Sequence, residues 1–492
     1  MRATPRLFAV LSALACLAVV GGVLAWATIN PPALPRAAAS AQRTVPIRSS
    51  SLVCPQVGGA GTNGAARVAY ADASGTPIAG TDAVTTQPLD ALSQPAPLDV
   101  QPGHAWVVDA PKTAAPMRID VSGELTDSFA AMQFSRDVVG SGAVQLATAM
   151  CEPPITDAWF AGLSSHVGAH AMLLLSNVDD VPALVDIGLY DDTNPKNPQA
   201  RRGIRVAGQT QVQVPVDALD PGVDNLVVHI AVTAGRVVPA VRYTLADGEI
   251  PLGTAWVPRT AAPARTQTLP GLLAGDGGRR LVLANPGDVD ATASVEVSTP
   301  DGSFTPDGFD QVDVPAGQVT VVDLQPALRQ QEGAVRVSAD QPIVAAAESA
   351  LPQGKLGTSD IGFTAAVPAL TGTSVVPGGE TQPGRHTLLV LSAPDGDAQV
   401  TLTVLPTTAG SGASTSSVDI AAGTTKQIDL ASLTKDPAPG VAITASGGPV
   451  YAAWALQEAG KTGDGLAEVP VRTPARTLVV RPAHADLTAG LS

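Results

Sequence analysis

The sequence predicts an all-β protein: four tandem immunoglobulin-like antiparallel β-sandwich repeats behind an N-terminal transmembrane helix. Three observations predict it. Two apolar strands recur about every 107 residues, the segments between them alternate apolar and polar residues, and the chain opens on a long uncharged run.

The first recurring strand reads RVAYADASG from Arg67, LLLSNVDD from Leu173, LVLANPGD from Leu281 and LVLSAPDG from Leu389. Val68, Leu173, Leu281 and Leu389 stand 105, 108 and 108 residues apart. A second strand recurs as SFAAMQF from Ser128, VVPAVRY from Val237, IVAAAES from Ile343 and VYAAWAL from Val450, at spacings of 109, 106 and 107. Between these markers, LDVQPGHAWVVDA from Leu98 matches VDVPAGQVTVVDL from Val312 and VDIAAGTTKQIDL from Val418. Alternation, a Pro/Ala-Gly turn and further alternation read as a β-hairpin. The second unit reads as truncated there, with VQVPVDALDPG in its place. Six or seven short strands in about 100 residues is the pattern of an immunoglobulin-like sandwich.

These markers divide the chain into a cytoplasmic stub and signal anchor (1–29), a linker (30–50), four sandwiches (51–156, 157–263, 264–369 and 370–473) and a closing strand with its tail (474–492). The junctions also recur, as SLVCPQ, DAWFAGL, TQTLPGL, TSVVPGG and LVVRPAH, five for four units. Either this element closes the preceding sandwich, or the chain ends meet, which would allow a ring. Propeller blades are shorter, about 40–50 residues, so a rod of sandwiches is the leading expectation.

Arg2 and Arg6 precede an uncharged run from Leu7 to Ile29. As a helix it would measure about 34 Å, enough to cross a bilayer. It exceeds the apolar core of a cleaved signal, and Ala37–Ala39 lies well beyond it, so an uncleaved anchor is expected. Arg36, Arg43 and Arg48 nearly balance the flanking charge. The cysteines decide the orientation: N-terminus cytoplasmic, bulk extracytoplasmic, a single pass through the cell membrane. Cys16 lies inside the apolar run and reads as a membrane-embedded structural residue, while Cys54 and Cys151 remain as a disulfide pair suited to an oxidising compartment.

Hydrophobic residues make up 45% of the chain but aromatics only 3%, so the cores rest on Val, Leu, Ile and Ala. The net charge of −15 argues against nucleic-acid partners, since nothing could neutralise a run of phosphates.

No residue set reads as a catalytic centre. Ser432-Leu433-Thr434-Lys435 matches S-x-x-K in form, but Pro326-Ala327-Leu328-Arg329 fills its slot in the third unit. His166 and His170 lie in a Gly-containing turn, and Asp179, Asp180, Asp288 and Asp290 read as Asp-Gly turn chemistry. No metal or cofactor is expected. Trp106 and Trp454 fall in alternating strands and read as core. Trp159 and Trp256 lie in junctions and are the better candidates for an exposed binding surface, with inter-domain packing favoured over ligand stacking.

LVLANPGDVDATASVEV (Leu281–Val297), VDVPAGQ (Val312–Gln318) and SADQPIVAAAES (Ser338–Ser349) resemble an actinobacterial family of secreted, repeat-containing envelope proteins described only as a domain of unknown function. The fourth unit has Ala393 for the Asn of the pattern, and the second lacks its Pro-Ala-Gly turn. The resemblance spans most of residues 50–480 and implies a fold and an envelope location, with no reaction or cofactor. The leading expectation is a non-catalytic envelope scaffold presenting protein or glycan contacts. The alternatives are a membrane-tethered accessory factor of an envelope glycan-synthesis or export enzyme, and a hydrolase with an inter-domain site.

Overall fold

The computed structural model describes residues 15, 18–19, 43–57, 65–74, 83–90, 92–110, 115–193, 201–407 and 413–480. The expected anchor, Leu7–Ile29, lies outside these apart from Ala15, Ala18 and Val19, as do Cys16 and most of the linker. Among the described residues no helix is long and apolar enough to cross a membrane. The described chain is all-β. It divides into two compact units, Met1–Pro46 with Thr477–Ser492, and Ile47–Arg476.

In the small unit, β1 (Arg43–Pro46) pairs antiparallel with the last strand of the chain, Thr477–Val480; Arg43 faces Val480 and Pro46 faces Thr477. The two ends of the described chain therefore meet.

The large unit has four modules. The first contains β2 (Ser49–Val57), β3 (Ala65–Asp72), β4 (Val84–Pro88), β5 (Ala96–Pro97), β6 (Ala105–Asp109), β7 (Ala115–Ser122), β8 (Phe129–Val139) and β9 (Ala143–Met150). The second contains β10 (Asp157–Leu163), β11 (Ala169–Asn177), β12 (Ala183–Asp191), β13 (Arg201–Val206), β14 (Thr210–Pro215), β15 (Leu226–Ala234), β16 (Val238–Asp247) and β17 (Ile250–Val257). The third contains β18 (Ala264–Leu272), β19 (Gly278–Ala284), β20 (Ala291–Thr299), β21 (Gly302–Phe304), β22 (Val312–Val314), β23 (Val319–Asp323), β24 (Gly333–Ala350) and β25 (Ile361–Ala365). The fourth contains β26 (Thr373–Val376), β27 (Arg385–Ala393), β28 (Ala398–Leu405), β29 (Ser414–Ile420), β30 (Thr424–Asp429), β31 (Gly440–Gly447), β32 (Tyr451–Glu458) and β33 (Gly465–Pro470). The terminal strand Thr477–Val480 is β34.

One strand order recurs. Module 1 has sheets β2-β7-β4-β5 and β6-β3-β8-β9, module 2 has β10-β15-β12-β13 and β14-β11-β16-β17, and module 4 has β26-β31-β28-β29 and β30-β27-β32-β33. Module 3 keeps the order, but its sixth and seventh strands are fused into the 18-residue β24, which ties both sheets together. The alternating sequences explain the two-sheet form. In β20, Ala291, Ala293, Val295 and Val297 are buried while Thr292 is exposed, so one face meets the core. Each core lies between its two sheets. In module 2, Phe160, Ile187 and Val228 of one sheet meet Leu173 and Val241 of the other.

The Pro/Ala-Gly turns do not close hairpins. They carry the chain from one sheet to the other, between β5 and β6, β22 and β23, and β29 and β30. Alternation reports that each flanking strand has a buried face, and it is silent on which strand pairs with it. Each turn needs one left-handed residue, supplied by Gly103, Gly317 and Gly423 at φ 72°, 72° and 75°. Module 2 is not truncated here. Its turn is Ala207-Gly208-Gln209 between β13 and β14, and Gln209 takes the left-handed position at φ 54°. Asn177 and Asn285 buttress the equivalent turns of modules 2 and 3. Their side-chain amides donate to Val206 and Val314 carbonyls at 3.1 and 3.0 Å.

The modules form a closed ring and not the expected rod. The last strand of each module faces inward, and β9, β17, β25 and β33 touch in cyclic order, with β33 returning to β9. Small residues make this possible. A Cβ on Gly253 would lie 2.5 Å from Ile361 of the next module, one on Gly362 would lie 2.8 Å from Glu468, and one on Gly465 would lie 2.7 Å from Val144. Glycine on one inner strand thus receives a side chain from the next.

Candidate functional site

Polar groups from different modules meet at the axis and at two inter-module cavities. At the axis, Asp360, just ahead of β25, is fully buried. Its Oδ2 accepts the N–H groups of Leu146 and Leu466, both at 2.8 Å, and its Oδ1 accepts that of Thr254 at 3.1 Å. Its own neighbour Ile361 supplies a fourth N–H. Every module thus sends one main-chain donor to one carboxylate. Burial pushes this carboxyl well above the usual range, and the four donors pull it back. A proton on either oxygen would have to displace a donor. Nearby on β33, buried Glu468 is pushed up to about 7 by burial, against the opposing pull of Arg279.

The second place is the seam between modules 4 and 1. Glu458 of β32 accepts Arg136 Nε at 2.9 and 2.8 Å and Arg136 Nη2 at 2.6 Å. Arg385 bridges Glu458 and Glu380, and Arg67 lies 3.5 Å from Glu380. These groups rim a cavity of about 100 Å³ with Phe134 and Leu456 in its wall. Gly378 closes the seam: its Cβ would lie 2.3 Å from the Phe134 ring. The third place, where modules 1, 2 and 4 meet, is a cavity of about 50 Å³ lined by Thr148, Trp256, Glu152, Arg259, Glu468 and Arg472. Glu152 pairs with Arg259. Burial, with Arg259 beside it, pushes the Arg472 guanidinium down to about 10.

The residues singled out in the sequence fall elsewhere or serve the scaffold. Cys54 and Cys151 form a disulfide within module 1. Trp159 and Trp256 are not exposed; they retain 4% and 6% of their surface, which rules out a stacking platform for glycans. Trp159 lies flat on His229, with ring centroids 3.9 Å apart, and packs with Tyr190 against Val282, Val319 and Val344 of module 3. Trp256 packs on Ala147 of module 1 and Leu174. The junction segments look exposed in sequence because the surface that covers them comes from another module. Trp454 is fully buried and meets the Phe134 ring of module 1 edge-on, with centroids 5.8 Å apart, while Trp106 is half-buried within module 1.

His166 and His170 are exposed, the latter 3.2 Å from Asp217. Asp179 is held below the usual carboxylate range by hydrogen bonds from Arg236. Asp290 and Asp397 each accept a turn N–H, from Ala316 at 2.9 Å and Ala422 at 2.8 Å. Ser432 ends a short 3-10 turn, where its hydroxyl donates to the Asp429 carbonyl at 2.7 Å. Asp360, Glu458 and Arg136 carried no sequence signal.

Residues 107–431 match the family of unknown function DUF5719. The chain belongs to that family. The DUF5719 span runs from β6 of module 1 to the turn after β30 of module 4. No curated protein matches the chain. Among solved structures, protein 1070 of Thermotoga maritima is similar at 14% identity and a TM-score of 0.19, over 21% of this chain and 93% of that one. The Anabaena sensory rhodopsin transducer is similar at 18% identity and a TM-score of 0.15, over 17% of this chain and 95% of that one. The major pilin of Streptococcus pyogenes, in a variant form, aligns at 8% identity and a TM-score of 0.14, over 62% of this chain and 99% of that one.

Proposed function

We propose that this DUF5719 protein is a non-catalytic scaffold of the cell envelope, tethered by Leu7–Ile29 with its bulk outside the cytoplasm, presenting protein or glycan contacts. The observation that carries the reading is where the polar groups are spent. Asp360 is saturated by main-chain donors, and Glu458 and Glu380 are tied to guanidinium groups. A hydrolase would need one carboxyl or nucleophile poised for substrate; these three are committed to joining modules, and the raised carboxyl of Glu468 is buried with Arg279 as its opposing charge. The Cys54–Cys151 disulfide supports an oxidising compartment.

In this reading the four modules are copies of one sandwich, with boundaries near 51–156, 157–263, 264–369 and 370–473. The immunoglobulin likeness is one of architecture. Constant-type domains order their strands ABED and CFG, whereas the order here, lettered the same way, is AFCD and EBGH.

The accessory-factor reading has one observation in its favour, the cavity of about 100 Å³ in the seam of modules 4 and 1. Crosslinking on intact cells with affinity capture of the tagged chain separates the two. Structural envelope proteins or glycan support the scaffold, and one stoichiometric enzyme supports the accessory role. Cytoplasmic partners together with free thiols at Cys54 and Cys151 would overturn both.

A further inference from the structure

We infer that the ring closes around an anion receptor: the inner strands of the four modules turn main-chain N–H groups onto one point, which takes a small carboxylate, and Asp360 fills it from within. The evidence is the composition of the site. Leu146 of β9, Thr254 of β17 and Leu466 of β33 donate to Asp360 over 2.8–3.1 Å, from 214, 106 and 106 residues away in sequence. The set consists of donors alone. Converging N–H groups with no competing acceptor form an anion-binding nest. The site is sealed, since Asp360 is fully buried and Gly253, Gly362 and Gly465 let the strands close over it. A water in its place brings two lone pairs for four N–H groups, and its own two protons meet only donors, so a receptor without a carboxylate leaves buried polar groups unpaired in several modules at once. Ring closure and occupancy of the receptor are therefore one event. This holds whether or not the protein is an envelope scaffold.

Hydrogen exchange on the intact chain tests it. In the wild-type protein the Leu146, Thr254 and Leu466 amides should exchange through one shared opening, with the same denaturant dependence. In Asp360→Asn their protection should fall on the order of 100-fold, because the amide nitrogen presents a donor to donors. In Asp360→Gly, which empties the receptor, sodium formate at millimolar concentration should restore that protection, and sodium chloride of equal ionic strength should not. Three independent openings in the wild type, or unchanged protection in Asp360→Asn, would overturn the inference. So would a folded Asp360→Gly variant that formate leaves unprotected. Should Asp360→Gly not fold in formate, the wild-type exchange pattern decides alone.

Discussion

The seam between modules 2 and 3 and the seam between modules 4 and 1 do the same job with different chemistry. The first is mainly apolar: Trp159, Tyr190 and Val227 fill the space against Val282, Val319, Val344 and Ala346, and Arg280 and Thr260 add single hydrogen bonds to Asn225 and the Ala345 carbonyl. The second also has apolar contacts, Ala71, Ala105 and Ala130 against Val375, Leu405 and Ala442, and the Phe134 ring edge-on to Trp454. It adds the Arg136–Glu458 pair and retains a cavity of about 100 Å³. Modules 2 and 3 are consecutive, so their contact is local in sequence. The closing seam joins residues more than 300 positions apart; Arg136 and Glu458 are separated by 322. Apolar packing tolerates small shifts, whereas a bidentate guanidinium–carboxylate pair accepts one geometry. The seam that must find its partner over the longest loop is thus the one with the multiply bonded ion pair.

The comparison can be broken at either seam. The largest effect is expected from Trp159→Ala, which empties the apolar seam and should cost about 3–5 kcal/mol in urea unfolding; a loss below about 1 kcal/mol would show that the seam is not packed as described. Glu458→Gln should cost about 2 kcal/mol, because Arg136 and Arg385 then face an uncharged amide. A double-mutant cycle with Arg136→Ala should show coupling between the two sites, and none between either of them and Trp159.

A third test uses pH. Burial holds Glu468 protonated up to about 7 in the folded ring, above the ordinary 4.5 of the unfolded chain. The folded state binds that proton more tightly, so the contribution is complete below about pH 4.5 and is lost as pH rises through 7. Glu348 is also raised by burial and acts in the same sense. Unfolding at pH 5 and pH 8 should therefore show greater stability at pH 5, and Glu468→Gln should reduce that difference. The smallest effect belongs to His170→Ala, at an exposed side chain whose partner is Asp217 of the same module, which should change stability by no more than about 0.5 kcal/mol.

The sequence disclosed what depends on side-chain pattern. Alternation in Ala291–Thr299 announced a strand with one buried face, and two cysteines beyond the apolar segment announced the disulfide. What it concealed depends on main chain and on distant partners. The receptor for Asp360 is built from N–H groups, which every residue but proline carries, so Leu146, Thr254 and Leu466 leave no motif. Gly253, Gly362 and Gly465 look like ordinary strand glycines until neighbouring modules fill the space beside them. Trp159 and Trp256 look exposed in sequence for the same reason, since what covers them is contributed from elsewhere in the ring, which is the inter-domain packing favoured for them over ligand stacking. The turn of module 2 escapes the glycine pattern because Gln209 stands at the left-handed position that glycine occupies in the others.

The pairing of β1 with β34 has a mechanical consequence. Arg43 and Val480, the outermost partners, lie side by side where the two chain ends leave the ribbon. Tension between the termini therefore peels this ribbon from its open end, rupturing its hydrogen bonds in succession instead of shearing them together. The ribbon behaves as a zipper that yields at low force.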